Sequence, residues 1–269
     1  MKTLYVSDLD GTLLRSDETL SAYTCQVLSR LTERGMLFSY ATARSLVTAR
    51  KVTRGLEARL PLIVYTGAFI VDRASGDILR ANYFDGAAEG ILRELFRHDI
   101  YPIVYARSGD AEWFSYVPGR CTEGMRTFLN TRRGDPRDHP VAEPEDLLRG
   151  DVFYIACIDA PEKLGPLAGR FDGAHVVYQR DIYTGDQWLE LMPGRASKSA
   201  ASRLLMEMLG RDRLVVFGDG ENDADLFMVA DERYAVANAA PRLKGLATAV
   251  IGGNDKDGVA KWLEANYRE

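Results

Sequence analysis

The chain of 269 residues has few of the side chains on which thiol, histidine and disulfide chemistry depends, since it contains three cysteines and three histidines. The cysteines are widely spaced and fit neither a disulfide framework nor a metal-binding pattern: Cys25, Cys121 and Cys157. We interpret them as reduced, buried thiols without a catalytic partner, which is consistent with a cytoplasmic protein. The histidines are isolated in the middle of the chain and are interpreted as structural or solvated.

The sequence also lacks an excess of positive charge, a long apolar run and an internal repeat. Its 34 lysines and arginines are outnumbered by 39 aspartates and glutamates, which argues against the basic footprint of non-specific nucleic-acid binding. No stretch approaches the roughly 18 apolar residues of a membrane span, and the first residues do not resemble a signal peptide. We therefore expect a globular cytoplasmic protein without nucleic-acid or membrane partners, either a monomer or a homodimer.

Strands and helices alternate at both ends of the chain. Short apolar runs predict strands over Leu4–Val6, Met36–Tyr40 and Leu62–Tyr65, and the helix before the third strand is predicted over Ser45–Leu60. The same alternation returns near the C-terminus. This order predicts an α/β fold with a doubly wound parallel sheet and right-handed crossovers.

The middle of the chain has a different pattern. Alternating strands are separated by helical stretches and by a polar loop rich in proline, aspartate and arginine. We predict an α+β domain over residues 82–186, inserted into a parallel-sheet core formed by residues 1–81 and 187–269.

Two aspartates directly follow the first predicted strand. Asp8 and Asp10, in the run SDLDGTLL, would lie at the carboxyl end of that strand, where open α/β sheets bind ligands. Two carboxylates held this close repel each other unless a cation or a shared proton intervenes. The pair therefore implies a divalent metal, a nucleophile beside an acid/base, or both.

Three further polar motifs lie at predicted strand ends or helix starts. Thr42, in the run YATAR, places a hydroxyl at the end of the second strand, before a helix N-terminus that suits a phosphate oxygen. Lys198, in PGRASK, is near the start of a helix, where a cation opposes the helix dipole. Asp219 and Asp223, in GDGEND, again place carboxylates at the end of a strand.

These four runs, in this order, resemble the motifs of the haloacid dehalogenase-like (HAD) superfamily of phosphotransferases, and most closely its Cof-type hydrolases. Cof-type hydrolases have a large α/β cap between the second and third motifs, and 156 positions separate Thr42 from Lys198. The runs AVANA and DGVA also resemble the C-terminal segment of that family. The resemblance covers essentially the whole core. It implies a Rossmann-like HAD core with a substrate-specificity cap in the predicted insertion.

The resemblance also implies a Mg²⁺-dependent phosphatase. Asp8 would be the nucleophile that forms an aspartyl-phosphate, and Asp10 would protonate the leaving alkoxide and then deprotonate water. The expected catalytic residues are Asp8, Asp10, Thr42 and Lys198. The expected substrate-binding residues are Thr42, Ala43, Arg44, Lys198 and Asn222. The expected metal-binding residues are Asp8, Asp10 through its backbone carbonyl, Asp219, and Asp223, which would support the outer shell or orient Lys198.

Two positions depart from the family pattern. Ala43 stands where glycine is common, a small change that we expect to keep the backbone path. Thr66, in the run TGA, stands where asparagine is usual and has a shorter reach. We expect substrate contacts at Thr66 to differ from those of the family.

Other interpretations of the same residues remain open. The aspartates could form polar turns, Thr42 could cap the following helix, Lys198 could be solvated, and Arg44 suits a surface position as well as a substrate contact. A phosphomutase would use the same intermediate, and a regulatory protein would bind a phosphorylated metabolite without turnover. We expect a phosphatase of small phosphorylated metabolites, such as sugar phosphates, because a pure sensor has no need of Asp10.

Overall fold

The structure is a computed structural model that describes residues 2–56 and 60–268. The chain divides into two compact units: unit 1 comprises Met1–Ala81 and Ala196–Glu269, and unit 2 comprises Asn82–Arg195. Residues 187–195, which the sequence assigns to the core, belong to unit 2. The reason is that strand Gln187–Pro193 pairs with two strands of the unit 2 sheet.

Fourteen strands and nine helices lie within the described residues. The strands are β1 (Thr3–Ser7), β2 (Leu37–Tyr40), β3 (Leu62–Val64), β4 (Phe69–Val71), β5 (Ile78–Ala81), β6 (Ile103–Ser108), β7 (Ala111–Tyr116), β8 (Asp138–Pro140), β9 (Asp151–Ile158), β10 (Ala174–Arg180), β11 (Gln187–Pro193), β12 (Arg213–Gly218), β13 (Glu232–Val236) and β14 (Ala249–Ile251). The helices are α1 (Ala22–Glu33), α2 (Leu46–Val52), α3 (Ala87–Arg97), α4 (Glu123–Asn130), α5 (Pro161–Leu164), α6 (Lys198–Met208), α7 (Ala224–Val229), α8 (Pro241–Leu246) and α9 (Gly258–Asn266).

Helix starts in unit 1 follow from local sequence. The side chains of Ser21 and Ser45 each accept a hydrogen bond from the backbone N–H three residues further on, at the starts of α1 and α2. Serine at this position satisfies one of the N–H groups that a helix start leaves unpaired. Helix α2 ends at Val52, earlier than predicted, and residues 57–59 of the predicted helix lie outside the described residues.

A five-stranded sheet in the order β14-β13-β12-β1-β2 forms the centre of unit 1. All its pairings are parallel, and Ser7 of β1 lies opposite both Phe217 of β12 and Tyr40 of β2. The side chains of Leu4 and Val6 are fully buried, as expected for a parallel sheet covered on both faces. The carboxyl ends of β1, β2 and β12 are therefore adjacent, and the predicted doubly wound sheet is confirmed.

The third predicted strand does not pair as expected. β3 forms an antiparallel three-stranded sheet with β4 and β5. An isolated parallel bridge between Ala41 and Ile63 links it to the chain after β2. This bridge keeps the turn after β3 close to the end of β2.

Unit 2 is an α+β structure with a six-stranded sheet in the order β10-β11-β9-β6-β7-β8. Its pairings are antiparallel except for the parallel pair β7 and β8. Apolar residues of α3 and α5, including Leu92, Leu95 and Leu164, form a core with Ile155 and Leu191 of the sheet. Within the described residues, no helix is long and apolar enough to cross a membrane.

Candidate active site

The turn after β1 places Asp8 against the end of β12. The backbone N–H of Asp8 donates to the carbonyl of Phe217 at 3.0 Å, and the Asp8 side chain is buried. Gly11 has a φ of +74°, and a Cβ atom there would lie 2.3 Å from Oδ2 of Asp219. Glycine is therefore required at this position for both backbone conformation and space. Asn238 Nδ2 donates to the Gly11 carbonyl at 2.7 Å and secures the turn.

Lys198 is the first residue of α6 and lies between two carboxylates. Ser197 caps the helix by accepting a hydrogen bond from the N–H of Ala200. The Nζ atom of Lys198 lies 2.6 Å from Oδ1 of Asp8 and 2.7 Å from Oδ1 of Asp223. Burial lowers the pKa of Lys198, but the two carboxylates outweigh it and the pKa is raised overall. The ammonium group stays charged, and the interpretation of Lys198 as a solvated lysine is wrong.

Both oxygens of Asp223 are occupied by groups of unit 1. Oδ1 accepts from Lys198, and Oδ2 accepts from the backbone N–H groups of Asp219 and Gly220, each at 3.1 Å. Asp223 is fully buried. The Asp223 carboxylate thus contacts Lys198 and fixes the backbone that carries Asp219. Of the two roles expected for Asp223, this geometry agrees with the orientation of Lys198.

Asp219 follows β12 and faces the turn after β1. Its Oδ1 accepts a hydrogen bond from the hydroxyl of Thr12 at 2.7 Å. Burial and the charge of Asp223 raise the pKa of Asp219 to about 7. Burial also raises the pKa of Asp8 well above its ordinary value, opposed by Lys198 and reinforced by Asp223 and Asp219. The carboxylates are therefore under mutual repulsion that a single lysine does not relieve.

These carboxylates fit a divalent cation. Asp8, Asp219 and Asp223 each offer one oxygen, and the three oxygens lie within 4.8 Å of one another. Oxygen donors from carboxylates are the ligands that Mg²⁺ takes in proteins, and a cation would relieve the repulsion. The carboxylate of Asp10 lies outside this group. Coordination of the metal by the backbone carbonyl of Asp10 stays a prediction.

Thr42 lies just past the end of β2, at the same sheet edge as Asp8. It is fully buried, and its Oγ1 accepts a hydrogen bond from the N–H of Arg44 at 3.1 Å. The residue that caps the start of α2 is Ser45, whose side chain accepts a hydrogen bond from the N–H of Thr48. The alternative interpretation of Thr42 as the cap of this helix is therefore wrong. Ala43 lies in the bend between them and is partly buried.

Arg44 makes ion pairs with two carboxylates. Its Nε donates to both oxygens of Asp10, at 3.1 and 2.8 Å, and its Nη2 donates to Oδ1 of Asp10 at 2.5 Å. The same Nη2 donates to Oε2 of Glu18 at 2.6 Å. Arg44 is therefore occupied by this chain's own side chains, and its expected contact with substrate stays a prediction.

The turn after β3 packs against the start of α6. Tyr65 and Thr66 both have left-handed backbone conformations, with φ of +50° and +53°. A Cβ atom at Gly67, where φ is +93°, would lie 2.2 Å from the carbonyl oxygen of Ser197. Such strained conformations persist where the surrounding structure demands them. Here they allow the turn to contact the backbone that precedes Lys198.

Asn222 lies in the turn Glu221–Asp223 after β12, at the same edge of the sheet. Sequence reasoning missed three residues that hold the site together, namely Thr12, Glu18 and Asn238. The runs SDLDGTLL and AVANA had already singled out the segments that contain Thr12 and Asn238. Glu18 follows in an ordinary polar stretch and carried no such signal.

The geometry agrees with one family of enzymes. A sequence profile described as haloacid dehalogenase-like hydrolase matches residues 5–263. The chain belongs to this family. The match covers all four motifs, so the membership implied by the resemblance is confirmed, together with the hydrolase class of the enzyme.

Three relatives of this hydrolase, two of them solved structures, match along nearly their whole length. The 5-amino-6-(5-phospho-D-ribitylamino)uracil phosphatase YwtE of Bacillus subtilis is 25% identical, covering 96% of this chain and 95% of the relative. The crystal structure of TM0651 from Thermotoga maritima has a TM-score of 0.79 at 25% identity, covering 100% of this chain and 99% of that chain. A B. subtilis haloacid dehalogenase-like hydrolase shares the fold with a TM-score of 0.80 at 22% identity, covering all of both chains. The family and the phosphatase relatives support the expected phosphoric monoester hydrolase.

Proposed function

We propose that the hydrolase is a Mg²⁺-dependent phosphatase of small phosphorylated metabolites that works through an aspartyl-phosphate on Asp8. The observation that carries the proposal is the buried Asp8 carboxylate, 2.6 Å from the Lys198 ammonium and grouped with Asp219 and Asp223. Phosphoryl transfer depends on positioning and on neutralisation of charge. This group of residues is suited to both.

In the proposed reaction, an oxygen of Asp8 attacks phosphorus, and the bond from phosphorus to the leaving alkoxide breaks. Asp10 gives its proton to that alkoxide. Lys198 keeps Asp8 oriented and offers positive charge to the transferring phosphoryl oxygens, with the Thr42 hydroxyl as a further donor. Water then attacks phosphorus, Asp10 takes its proton, and the bond to Asp8 breaks to release inorganic phosphate.

The Mg²⁺ ion would be held by Asp8 and Asp219, with Asp223 supporting them. When bound, it supplies charge neutralisation for the carboxylates and the phosphoryl group. The substrate class rests on resemblance and on the relatives, of which YwtE and YitU of B. subtilis are 5-amino-6-(5-phospho-D-ribitylamino)uracil phosphatases. Sugar phosphates and phosphorylated polyols are therefore the substrates to test first.

The test is steady-state release of inorganic phosphate from p-nitrophenyl phosphate and from a panel of sugar and polyol phosphates, with Mg²⁺ and with chelator. Asp8→Asn should abolish turnover, because an amide oxygen cannot form the acyl phosphate. Asp212→Asn is the matched control, since Asp212 immediately precedes β12, at the opposite end of that strand from Asp219, and is exposed. Retained turnover by folded Asp8→Asn protein would refute the nucleophile.

Two other results would redirect the proposal. Isomerisation of a sugar phosphate without net release of phosphate would indicate a phosphomutase. Thermal stabilisation by a phosphorylated metabolite without any product would indicate a regulatory binding protein.

A further inference from the structure

The guanidinium of Arg44 bridges two carboxylates beside the proposed nucleophile. Four hydrogen bonds, from 2.5 to 3.1 Å, join it to Asp10 and Glu18. The side chains of Arg44 and Asp10 are 18% and 25% exposed, and that of Glu18 is 43% exposed. A planar guanidinium that binds both oxygens of a carboxylate fixes the plane of that carboxylate, which a lysine cannot do.

Glu18 reaches Arg44 from an unfavourable backbone conformation. Its φ is +60°, in a turn closed by hydrogen bonds from Arg15 N–H to the Thr19 carbonyl and from Glu18 N–H to the Arg15 carbonyl, both 2.9 Å. Glycine or asparagine suits such a position better than glutamate. The turn alone therefore does not account for glutamate here, whereas its contact with Arg44 does.

The same turn contains a second arginine, Arg15, which pairs with Asp257 near the C-terminus. Nη2 of Arg15 donates to both oxygens of Asp257, at 3.1 and 3.0 Å. Arg15 and Arg44 thus both make hydrogen-bonded ion pairs. Arg15 holds Asp257 through one nitrogen, whereas Arg44 holds Asp10 and Glu18 through two.

We infer that Arg44 and Glu18 are positioning residues that hold the Asp10 carboxylate in the orientation needed for proton transfer. Glu18 fixes the guanidinium, and the guanidinium fixes Asp10. Arg44 then contacts Asp10, the proposed acid/base, and influences the reaction only through Asp10. The inference rests on the proposed function, in which Asp10 moves the proton in both steps.

The two steps of the proposed reaction allow a specific test. Departure of an alkoxide needs the proton from Asp10, whereas departure of p-nitrophenolate needs it far less. Because kcat/KM reports the steps up to the first irreversible one, an orientation defect at Asp10 lowers kcat/KM for an alkyl phosphate and spares it for p-nitrophenyl phosphate. Attack of water on the aspartyl-phosphate needs Asp10 with either substrate, so kcat falls for both.

The experiment compares Arg44→Ala, Arg44→Lys and Glu18→Gly with Arg15→Ala. The substrates are p-nitrophenyl phosphate and the alkyl phosphate that the wild-type enzyme hydrolyses fastest. For Arg44→Ala we expect kcat/KM with the alkyl phosphate to fall about 100-fold, with little change for p-nitrophenyl phosphate. We also expect a pre-steady-state burst of p-nitrophenolate, because the aspartyl-phosphate accumulates.

The companion variants separate positioning from folding. Arg44→Lys should show a smaller version of the same selectivity, and Arg15→Ala should show none. Glu18→Gly should shift selectivity in the same direction while thermal stability holds or rises, since glycine relieves the left-handed backbone. Adding Arg44→Ala to Asp10→Asn should lower kcat/KM for the alkyl phosphate little further, because both changes act on the Asp10 carboxylate.

Equal loss of kcat/KM on both substrates, or full additivity with Asp10→Asn, would overturn the inference. A raised KM with unchanged kcat would also overturn it and would assign Arg44 to phosphate binding. If Arg44→Ala does not fold, the test uses Arg44→Lys and Glu18→Gly. The quantity compared is again the ratio of kcat/KM for the alkyl phosphate to kcat/KM for p-nitrophenyl phosphate. Turnover by Asp8→Asn would instead refute the proposed function, so the two failures are distinguishable.

Discussion

Each unit contains a buried cation between two carboxylates, and the two clusters differ in their balance of charge. In unit 1, Lys198 lies between Asp8 and Asp223, at 2.6 and 2.7 Å. In unit 2, Arg137 lies between Asp135 and Glu112, at 2.7 and 2.8 Å. The nitrogen–oxygen distances in the two clusters are thus nearly the same.

The surroundings of the two clusters are different. The cluster in unit 1 has a third carboxylate, Asp219, whose pKa is raised to about 7 by burial and by Asp223. The cluster in unit 2 has a second cation, since Arg107 lies 3.6 Å from Glu112. Excess negative charge suits a cluster that binds a cation, and balanced charge suits one that holds a fold together.

The largest effect in this comparison is expected from Lys198→Met. The change keeps an unbranched side chain of similar length but removes the charge that contacts Asp8 and that we propose to face the phosphoryl oxygens. We expect kcat/KM for p-nitrophenyl phosphate to fall about 1,000-fold, as for the loss of a preorganised electrostatic donor. Lys261→Met, an exposed lysine on α9, is the control, and a loss below tenfold in Lys198→Met would contradict the assignment.

The corresponding change in unit 2 should act on stability. Arg137→Met removes the cation that lies between Asp135 and Glu112 and leaves Glu112 with Arg107. We expect the free energy of unfolding in urea to fall by about 3 kcal/mol. The kcat/KM of the folded fraction should change little for p-nitrophenyl phosphate. Adding Asp135→Asn and Glu112→Gln should recover much of the loss, because the unpaired charges are then removed. A failure of that recovery would show that the cluster is more than a balanced ion pair.

The smallest expected effect is a dependence of stability on pH and Mg²⁺. The folded-state pKa of Asp219, about 7, exceeds its ordinary value of 3.8, so the folded protein binds more protons than the unfolded chain between these values. Without metal, stability should be highest below about pH 4 as far as this group is concerned and should fall as pH rises towards 7. Added Mg²⁺ should raise Tm most near pH 7 and 8.

Thermal unfolding with chelator and with Mg²⁺, from pH 5 to 8, measures this effect. Asp219→Asn should flatten the pH dependence in chelator and lose most of the stabilisation by Mg²⁺. Full Mg²⁺ stabilisation in that variant would exclude Asp219 as a ligand.

The cluster around Lys198 in unit 1 was predictable from sequence, and the cluster around Arg137 in unit 2 was not. Asp8 and Asp219 could be brought together because parallel strands end at one edge of a sheet. The resemblance to the HAD motifs added Lys198, at the start of a helix. The cluster around Arg137 joins ordinary charged residues of different segments, without a characteristic spacing. Its assembly depends on the register of an antiparallel sheet, which composition does not specify.

Side-chain direction was the other unpredictable quantity. The sequence left Arg44 open between a surface position and a substrate contact. Its pairing with Asp10 and Glu18 depends on a left-handed turn that no motif predicts. The strands β4 and β5 were also missed. The predicted return to the core at residue 187 comes before the end of unit 2 at Arg195. The reason is that β11 pairs with β9 and β10 of the inserted sheet.

The position of β1 in its sheet has a consequence for how the chain is made. β1 lies between β2 and β12, and its Ser7 pairs with Phe217. On a ribosome, β1 emerges before the other strands of its sheet, and its neighbour β12 emerges only after both β11 and α6. Such sequence-distant pairing slows folding and leaves an apolar strand edge exposed in the meantime. The proposed nucleophile is thus translated well before the strand β12 that completes its surroundings.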